Sequence, residues 1–211
     1  MVGTYEPHQG DTMSVTPLTL PAKMSELAKG LGAVFDEDQW IIPSGTDPFP
    51  FYRWLRGGKN VNLRATEYWI AQTLLDCPHC DVTTDVIGFV LPTGFEFLEP
   101  GESGGQAQWV RQPFGTFISH IEYLLPSVFD NVFPLYHWFQ ARVIPALSVV
   151  RYLNFCKYCH QEIDDNDLVA EPGQGFMPME PGESHRIHLK PVKAPFMAAA
   201  SEWTEDLPWL S

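Results

Sequence analysis

Ala65, Trp69, Ile70, Thr73 and Leu74 recur at three-to-four spacing, which predicts a helix over Leu63 to Leu75 with Asn62 as its N-cap. Beyond Cys80 the period shortens. Val82 to Leu91 is apolar and β-branched, Phe95 to Leu98 alternates, and Gln108 to Ile121 holds two strand-like pieces around Pro113-Phe114-Gly115. Pro126 opens a second predicted helix through Val128, Phe129, Val132, Phe133 and Tyr136, kinked or split at Pro134. Val143 to Phe155, Ile163 to Val169, Arg186 to Val192 and Phe196 to Ala200 read as further strands. Met24 to Leu31 reads as a short helix ended by Gly30 and Gly32, and the three prolines between Trp40 and Phe51 predict loop. The fold class expected is α+β, with short antiparallel strands and a few helices. Its domains are an N-terminal arm and loop-rich segment (1–62), an α+β domain (63–200) and an acidic Trp-containing tail (201–211).

Of the 211 residues, 45 % are hydrophobic and 18 % charged, a mix that excludes a mainly disordered or coiled-coil chain. No apolar run is long enough to span a bilayer, and residues 1–11 lack the basic and apolar blocks of a secretory signal, so a cytoplasmic location is expected. Thirteen Lys and Arg against 26 Asp and Glu give a net charge of −13, which repels a phosphate backbone. Arg53, Arg56, Lys59 and Arg64 interleave with aromatics and form the one candidate basic patch; core aromatics with surface cations explain the same run.

All four cysteines lie in two Cys-x-x-Cys pairs, Cys77-Pro78-His79-Cys80 and Cys156-Lys157-Tyr158-Cys159. Such a turn sets two thiolates on one side of a tight loop with backbone N–H groups aimed at the sulfurs. Two turns complete a tetrahedral four-sulfur shell. Zinc suits it, and a shell with no open position is structural, so a zinc-ribbon-like site is expected and neither His79 nor His160 is needed as a ligand. Cys-Pro-His-Cys also occurs in thiol–disulfide oxidoreductases, but there the first cysteine opens a helix, whereas here a helix is expected before Cys77 and a strand after it. The wide separation of the pairs is unlike ferredoxin spacing, and structural disulfides are disfavoured without a signal. His185 and His188 read as surface residues on a strand; His120 and His137 stand alone. No nucleophile–His–acid order, phosphate-binding glycine loop or His-Glu-x-x-His helix is present.

Glu-Pro-Gly-Glu-Ser occurs at Glu99 to Ser103 and again at Glu180 to Ser184, each after a Cys pair and before a Pro-Phe pair. Either two related β-rich halves each supply one knuckle, or turn chemistry recurs in a chain with 19 prolines and 16 glycines.

Asp76-Cys77-Pro78-His79-Cys80, Val86-Ile87-Gly88-Phe89-Val90-Leu91-Pro92 and Asn154-Phe155-Cys156-Lys157-Tyr158-Cys159, with Ile118 to Leu124, Glu171 to Pro178 and Ala194-Pro195-Phe196, carry a resemblance. Over roughly residues 66–200 the chain resembles a widespread bacterial family of acidic cytoplasmic proteins with two separated Cys-x-x-Cys knuckles and no assigned activity. The resemblance implies a zinc-binding protein and supplies no catalytic residues. The function expected is therefore non-enzymatic recognition of another macromolecule, a protein first, through an acidic or aromatic surface, as an inhibitor or adaptor. The alternatives are thiol–disulfide exchange at Cys77 and Cys80, or nucleic-acid binding through Arg53 to Arg64.

Overall fold

The computed structural model describes residues 15–56, 60–101, 105–144, 149–169, 172–173, 175–204 and 209. Near the N-terminus β1 (Thr16–Leu18), β2 (Val34–Asp36) and β3 (Gln39–Ile42) form an antiparallel sheet of order β1-β3-β2, with α1 (Ser25–Gly30) between the first two. The short helix expected after Met24 is thus present. Residues 1–14 of the expected arm lie outside the described residues, whereas Thr16–Leu18 is strand and Leu18 is buried. The proline-rich stretch begins with β3 and ends in a 3-10 run, Phe49–Trp54, whose Phe51 enters the main core with Leu18, Ile42 and Leu55.

An eight-stranded antiparallel sheet carries the rest. Its strands are β4 (Leu63–Ala65), β5 (Tyr68–Asp76), β6 (Thr83–Leu91), β7 (Glu96–Glu99), β8 (Gln108–Arg111), β9 (Thr116–Leu124), β13 (His188–Val192) and β14 (Phe196–Thr204). Their order is β13-β5-β6-β9-β14-β4-β7-β8. A second three-stranded sheet, β10 (Phe139–Ile144), β11 (Val149–Phe155) and β12 (Glu162–Ile163), packs against it, and α2 (Pro126–Val132) starts at Pro126 as expected. The protein is mostly antiparallel sheet with few helices.

The helix expected over Leu63 to Leu75 is instead β4 and β5. β5 and β6 are covered on both faces: Tyr68, Ile70, Ile87, Phe89 and Leu91 enter the main core, while Ala71, Leu75, Val86 and Val90 enter a second one. A strand buried on both sides loses its period of two, and the apolar positions left over mimic helical spacing. Asn62, expected as an N-cap, pairs with a strand: its Nδ2 donates to the Ala200 carbonyl at 2.8 Å and its Oδ1 accepts the Ala200 N–H at 3.0 Å. The expected strand Ile163 to Val169 shrinks to β12. Asp164, Asp165, Asn166 and Asp167 fold into turns instead, with the Asn166 N–H bonded to Asp164 Oδ1 at 2.9 Å.

β6 and β9 pair only from Phe89 to Leu91. Gly88 permits the join, since a Cβ there would lie 2.3 Å from the Phe117 ring. β9 then diverges at His120, whose φ is 53°, and Asn154 of β11 takes its place beside β6. The Asn154 amide accepts the Ile87 N–H at 2.9 Å and donates to the Ile87 carbonyl at 2.8 Å, both within the interior. One side chain thereby completes the ladder and ties the small sheet to the large one.

Candidate metal centre

Each Cys-x-x-Cys pair forms the tip of an antiparallel hairpin, Cys77–Cys80 between β5 and β6 and Cys156–Cys159 between β11 and β12. The tips share one backbone design. Cys77 N–H bonds the Val82 carbonyl and Asp81 N–H bonds the Cys77 carbonyl, just as Cys156 N–H bonds Gln161 and His160 N–H bonds Cys156. The residue after each pair, Asp81 or His160, takes the left-handed conformation at φ 57° and 59°. His79 N–H and Tyr158 N–H each point at the preceding cysteine sulfur at 3.4 Å. The repeated landmarks of the sequence share no more than this: β6 follows the first tip for nine residues and β12 the second for two. The strand orders differ, so the duplication stops at the knuckles.

The two tips meet. All four Sγ atoms lie within 4.8 Å of one another, with Cys77–Cys159 at 3.7 Å and Cys80–Cys156 at 3.8 Å. A tetrahedral ion with metal–sulfur bonds of ~2.3 Å sets its sulfurs ~3.8 Å apart, so the donor set fits a thiophilic ion such as zinc. These cross-tip separations are far longer than the ~2.05 Å of a disulfide. With no cation the sulfurs must share protons. Burial pushes the Cys77 thiol up to about 12. At Cys156 burial acts upward too, but N–H bonds from Cys159 and Tyr158 and hydrogen bonds from Cys77 and Cys159 outweigh it and bring the thiol down to about 6.

Contacts around the sulfurs hold the tips together. His79 Nε2 lies 2.8 Å from the Glu162 carbonyl, so its N–H donates there from one hairpin to the other. Lys157 pairs with Asp85 of β6 and lies 3.5 Å above the Trp138 ring, and its backbone N–H bonds Thr84 Oγ1 at 3.2 Å. Burial raises the Asp85 pKa, but hydrogen bonds from Lys157 and Gln72 hold the carboxyl below its ordinary value. Strands both precede and follow Cys77, in place of the helix expected before it. No helix opens at the first cysteine, as nucleophilic activation of the oxidoreductase type requires.

Arg53 and Arg64 of the expected basic patch lie over two touching rings, Tyr52 and Trp109, whose centroids are 5.2 Å apart. Arg64 Nε lies 2.6 Å from Glu96 Oε2 with its guanidinium over Trp109, Arg53 Nε donates to Tyr52 Oη, and Lys59 lies outside the described residues. Arg56 is exposed. His185 and His188 are exposed as expected, His185 on a 3-10 turn rather than a strand and His188 at the start of β13. Of the expected tail, residues 201–204 continue β14, where the Trp203 ring lies tilted 4.7 Å from Phe97, and Trp209 Nε1 donates to the Phe176 carbonyl at 2.8 Å.

His120 is not isolated. Its buried ring has Nδ1 3.1 Å from Glu202 and Nε2 3.9 Å from Asp164, and its backbone N–H bonds the buried carboxylate of Asp165. Sequence reasoning missed this group because its members come from β9, β14 and the turn after β12. Burial pushes Asp165 up to about 6 against the His120 N–H and the charges of His120 and Arg151, with Asp164 adding to the rise. Between the ordinary carboxylate pKa and about 6 the native state therefore holds the extra proton. The stability linked to it is complete at about pH 4 and lost as pH rises to about 6. Asp165→Asn keeps an acceptor for His120 and removes the titration. It is expected to gain on the order of 2 kcal/mol over the native chain at pH 7 and nothing at pH 4, read from urea midpoints across that range.

Comparison with protein-family models, curated proteins and solved structures found no match to the chain. Among the described residues no helix is long and apolar enough to cross a membrane.

Proposed function

We propose that the chain is a non-enzymatic cytoplasmic protein, of the bacterial type it resembles, in which a structural zinc ion on Cys77, Cys80, Cys156 and Cys159 closes a ribbon-like site and frees the surface for binding another protein. Four thiolates fill a tetrahedral shell, and the ion's chemistry there is charge neutralisation and cross-linking. The observation that supports the binding role is a set of exposed apolar residues in and beside the N-terminal sheet. Leu27, Leu31, Val34 and Phe35 are exposed, Phe35 at 56 %, and Glu26, Asp36, Glu37 and Asp38 adjoin them in the chain. Exposed apolar side chains next in the chain to acids fit a partner with apolar and basic groups. On this reading α1 and the β2–β3 hairpin carry the acidic and aromatic surface expected from the composition.

Affinity capture with the native chain and with Phe35→Glu tests the reading, beside elemental analysis of the purified protein. The expected result is about one zinc per chain and a basic protein retained by the native chain at near-equal amounts and lost from the variant. Identical captures by both chains, or no retained protein, would remove the binding role.

A further inference from the structure

In a chain of net charge −13, the stretch between Asp130 and Glu162 holds no acidic residue, yet it contains Arg142, Arg151, Lys157, His137 and His160. Two of these cations already face acids: Lys157 pairs with Asp85, and Arg151 acts on the buried Asp165. Arg142 does not. It is exposed, and no carboxylate lies within ion-pairing distance of it among the described residues. Gln140 and Arg142 alternate along β10 and so share one of its faces. Phe155 of β11 lies across from Trp138, its N–H bonded to the Trp138 carbonyl at 2.8 Å.

These residues border a cavity of about 320 Å³ between β10 and the second Cys tip. Its wall is rich in donors. Arg142, Gln140, Trp138, His137 and His160 line it, and no carboxylate does; Asp85, the partner of Lys157, borders a different cavity beside β5. The Arg142 guanidinium is held at the wall, its central carbon 5.1 Å over the ring of Phe155, which lines the cavity too. Gln140 Nε2 donates to the His137 carbonyl at 2.8 Å, which fixes that amide. Trp138 is 8 % exposed, and its Nε1 is buried with no hydrogen-bond partner. A stranded donor of that kind calls for an acceptor. The one group of opposite sign at the wall is the Cys156 sulfur, which is buried and takes N–H bonds from Tyr158 and Cys159.

We infer that this cavity binds the phosphate group of a small molecule, with the Arg142 guanidinium as its charged anchor and the N–H groups of Trp138, His137 and His160 as neutral donors. A phosphomonoester presents three strong acceptor oxygens, and a guanidinium fork meets two of them at once. A neutral imidazole still donates one N–H. Donors drawn from β10, the residue before it and the Cys tip suit a tetrahedral group better than a planar carboxylate. The volume lies at the lower end of the ~300–1,000 Å³ of small-molecule sites, which limits the ligand to a phosphate with a short organic part. The acidic remainder of the chain opposes any anion, but beyond a screening length of ~8 Å at physiological salt its effect is small, so the local donors decide. The site is separate from α1 and the β2–β3 hairpin and needs no protein partner.

Calorimetric titration of the purified full chain with inorganic phosphate, glycerol phosphate and acetate tests the site. Both phosphates are expected to bind and acetate not to; the tighter of the two assigns the source as free phosphate or a phosphomonoester. Arg142→Gln should weaken phosphate about tenfold, and Trp138→Phe, which keeps a ring and removes only the N–H, about fivefold. The indole N–H resonance that disappears in Trp138→Phe should shift when phosphate is added to the native chain. Phe35→Glu should leave the affinity unchanged, and melting checks that each variant is folded. No binding of either phosphate at millimolar concentration, or equal binding by the native chain and Arg142→Gln, would overturn the site. So would an Arg142→Gln chain that melts lower or loses metal while its phosphate affinity stays as it was, since the guanidinium would then serve to balance the sulfur charge. Acetate as tight as phosphate would overturn the tetrahedral group, and an unmoved indole resonance would remove Trp138 as a donor.

Discussion

Cys156→Ser is expected to abolish stoichiometric zinc binding and to cost about 4 kcal/mol or more, because a structural ion's binding free energy is folding free energy. For a chain of this size ~1 kcal/mol moves the melting temperature by roughly 2–4 °C, so a fall of roughly 8–16 °C should be seen. Two effects are mixed in that number. The serine hydroxyl is also buried where the sulfur was, since Cys156 is 1 % exposed. Chelation separates them: a strong chelator should lower the melting temperature of the native chain and leave that of the variant where it was. Unchanged metal content together with unchanged melting would exclude a structural ion. The loss should be greatest where the hairpin tips join, loosening β12 and the turn carrying Asp165 before the centre of the large sheet.

The second large effect is expected at Asn154. Asn154→Ala removes two hydrogen bonds and leaves the Ile87 N–H and carbonyl inside the protein with no partner. Each stranded group costs about 1–3 kcal/mol, so a loss of about 2–6 kcal/mol should appear in urea unfolding. Zinc stays bound if the tips still meet, which distinguishes this variant from Cys156→Ser. A cost below ~1 kcal/mol would mean that water enters and satisfies Ile87, and that the two sheets are held chiefly by the sulfurs and the apolar core.

The four-sulfur cluster was legible because its signal is chemical and local. A Cys-x-x-Cys turn forms its own N–H···S geometry wherever it lies, and two such turns with no cysteine left over have an obvious use. The strands after Cys80 and the helix at Pro126 were legible for a related reason, since β-branched residues and a proline at a helix start act within a few residues. β5 was not. Tyr68 and Ile70 face one core while Ala71 and Leu75 face another, so no single side of the strand is polar enough to reveal the period. The Asp165 group stayed hidden for another reason: His120, Asp164 and Glu202 become neighbours only when β9, β12 and β14 converge. The donor-lined cavity at Arg142 is likewise a matter of β10 meeting the second Cys tip.

The amino-acid sequence alone determined the four sulfurs and their two-by-two grouping, the acidic balance of charge and a fold rich in short antiparallel strands. All of these arise from residue chemistry and contacts a few positions apart. Tertiary structure decided which strands are covered on both faces, that Asn62 and Asn154 serve as missing strand partners, and that tips 76 residues apart at Cys80 and Cys156 share one site. Those outcomes depend on long-range packing and on which backbone groups lack a ladder partner, and neither is written in the spacing of residues along the chain.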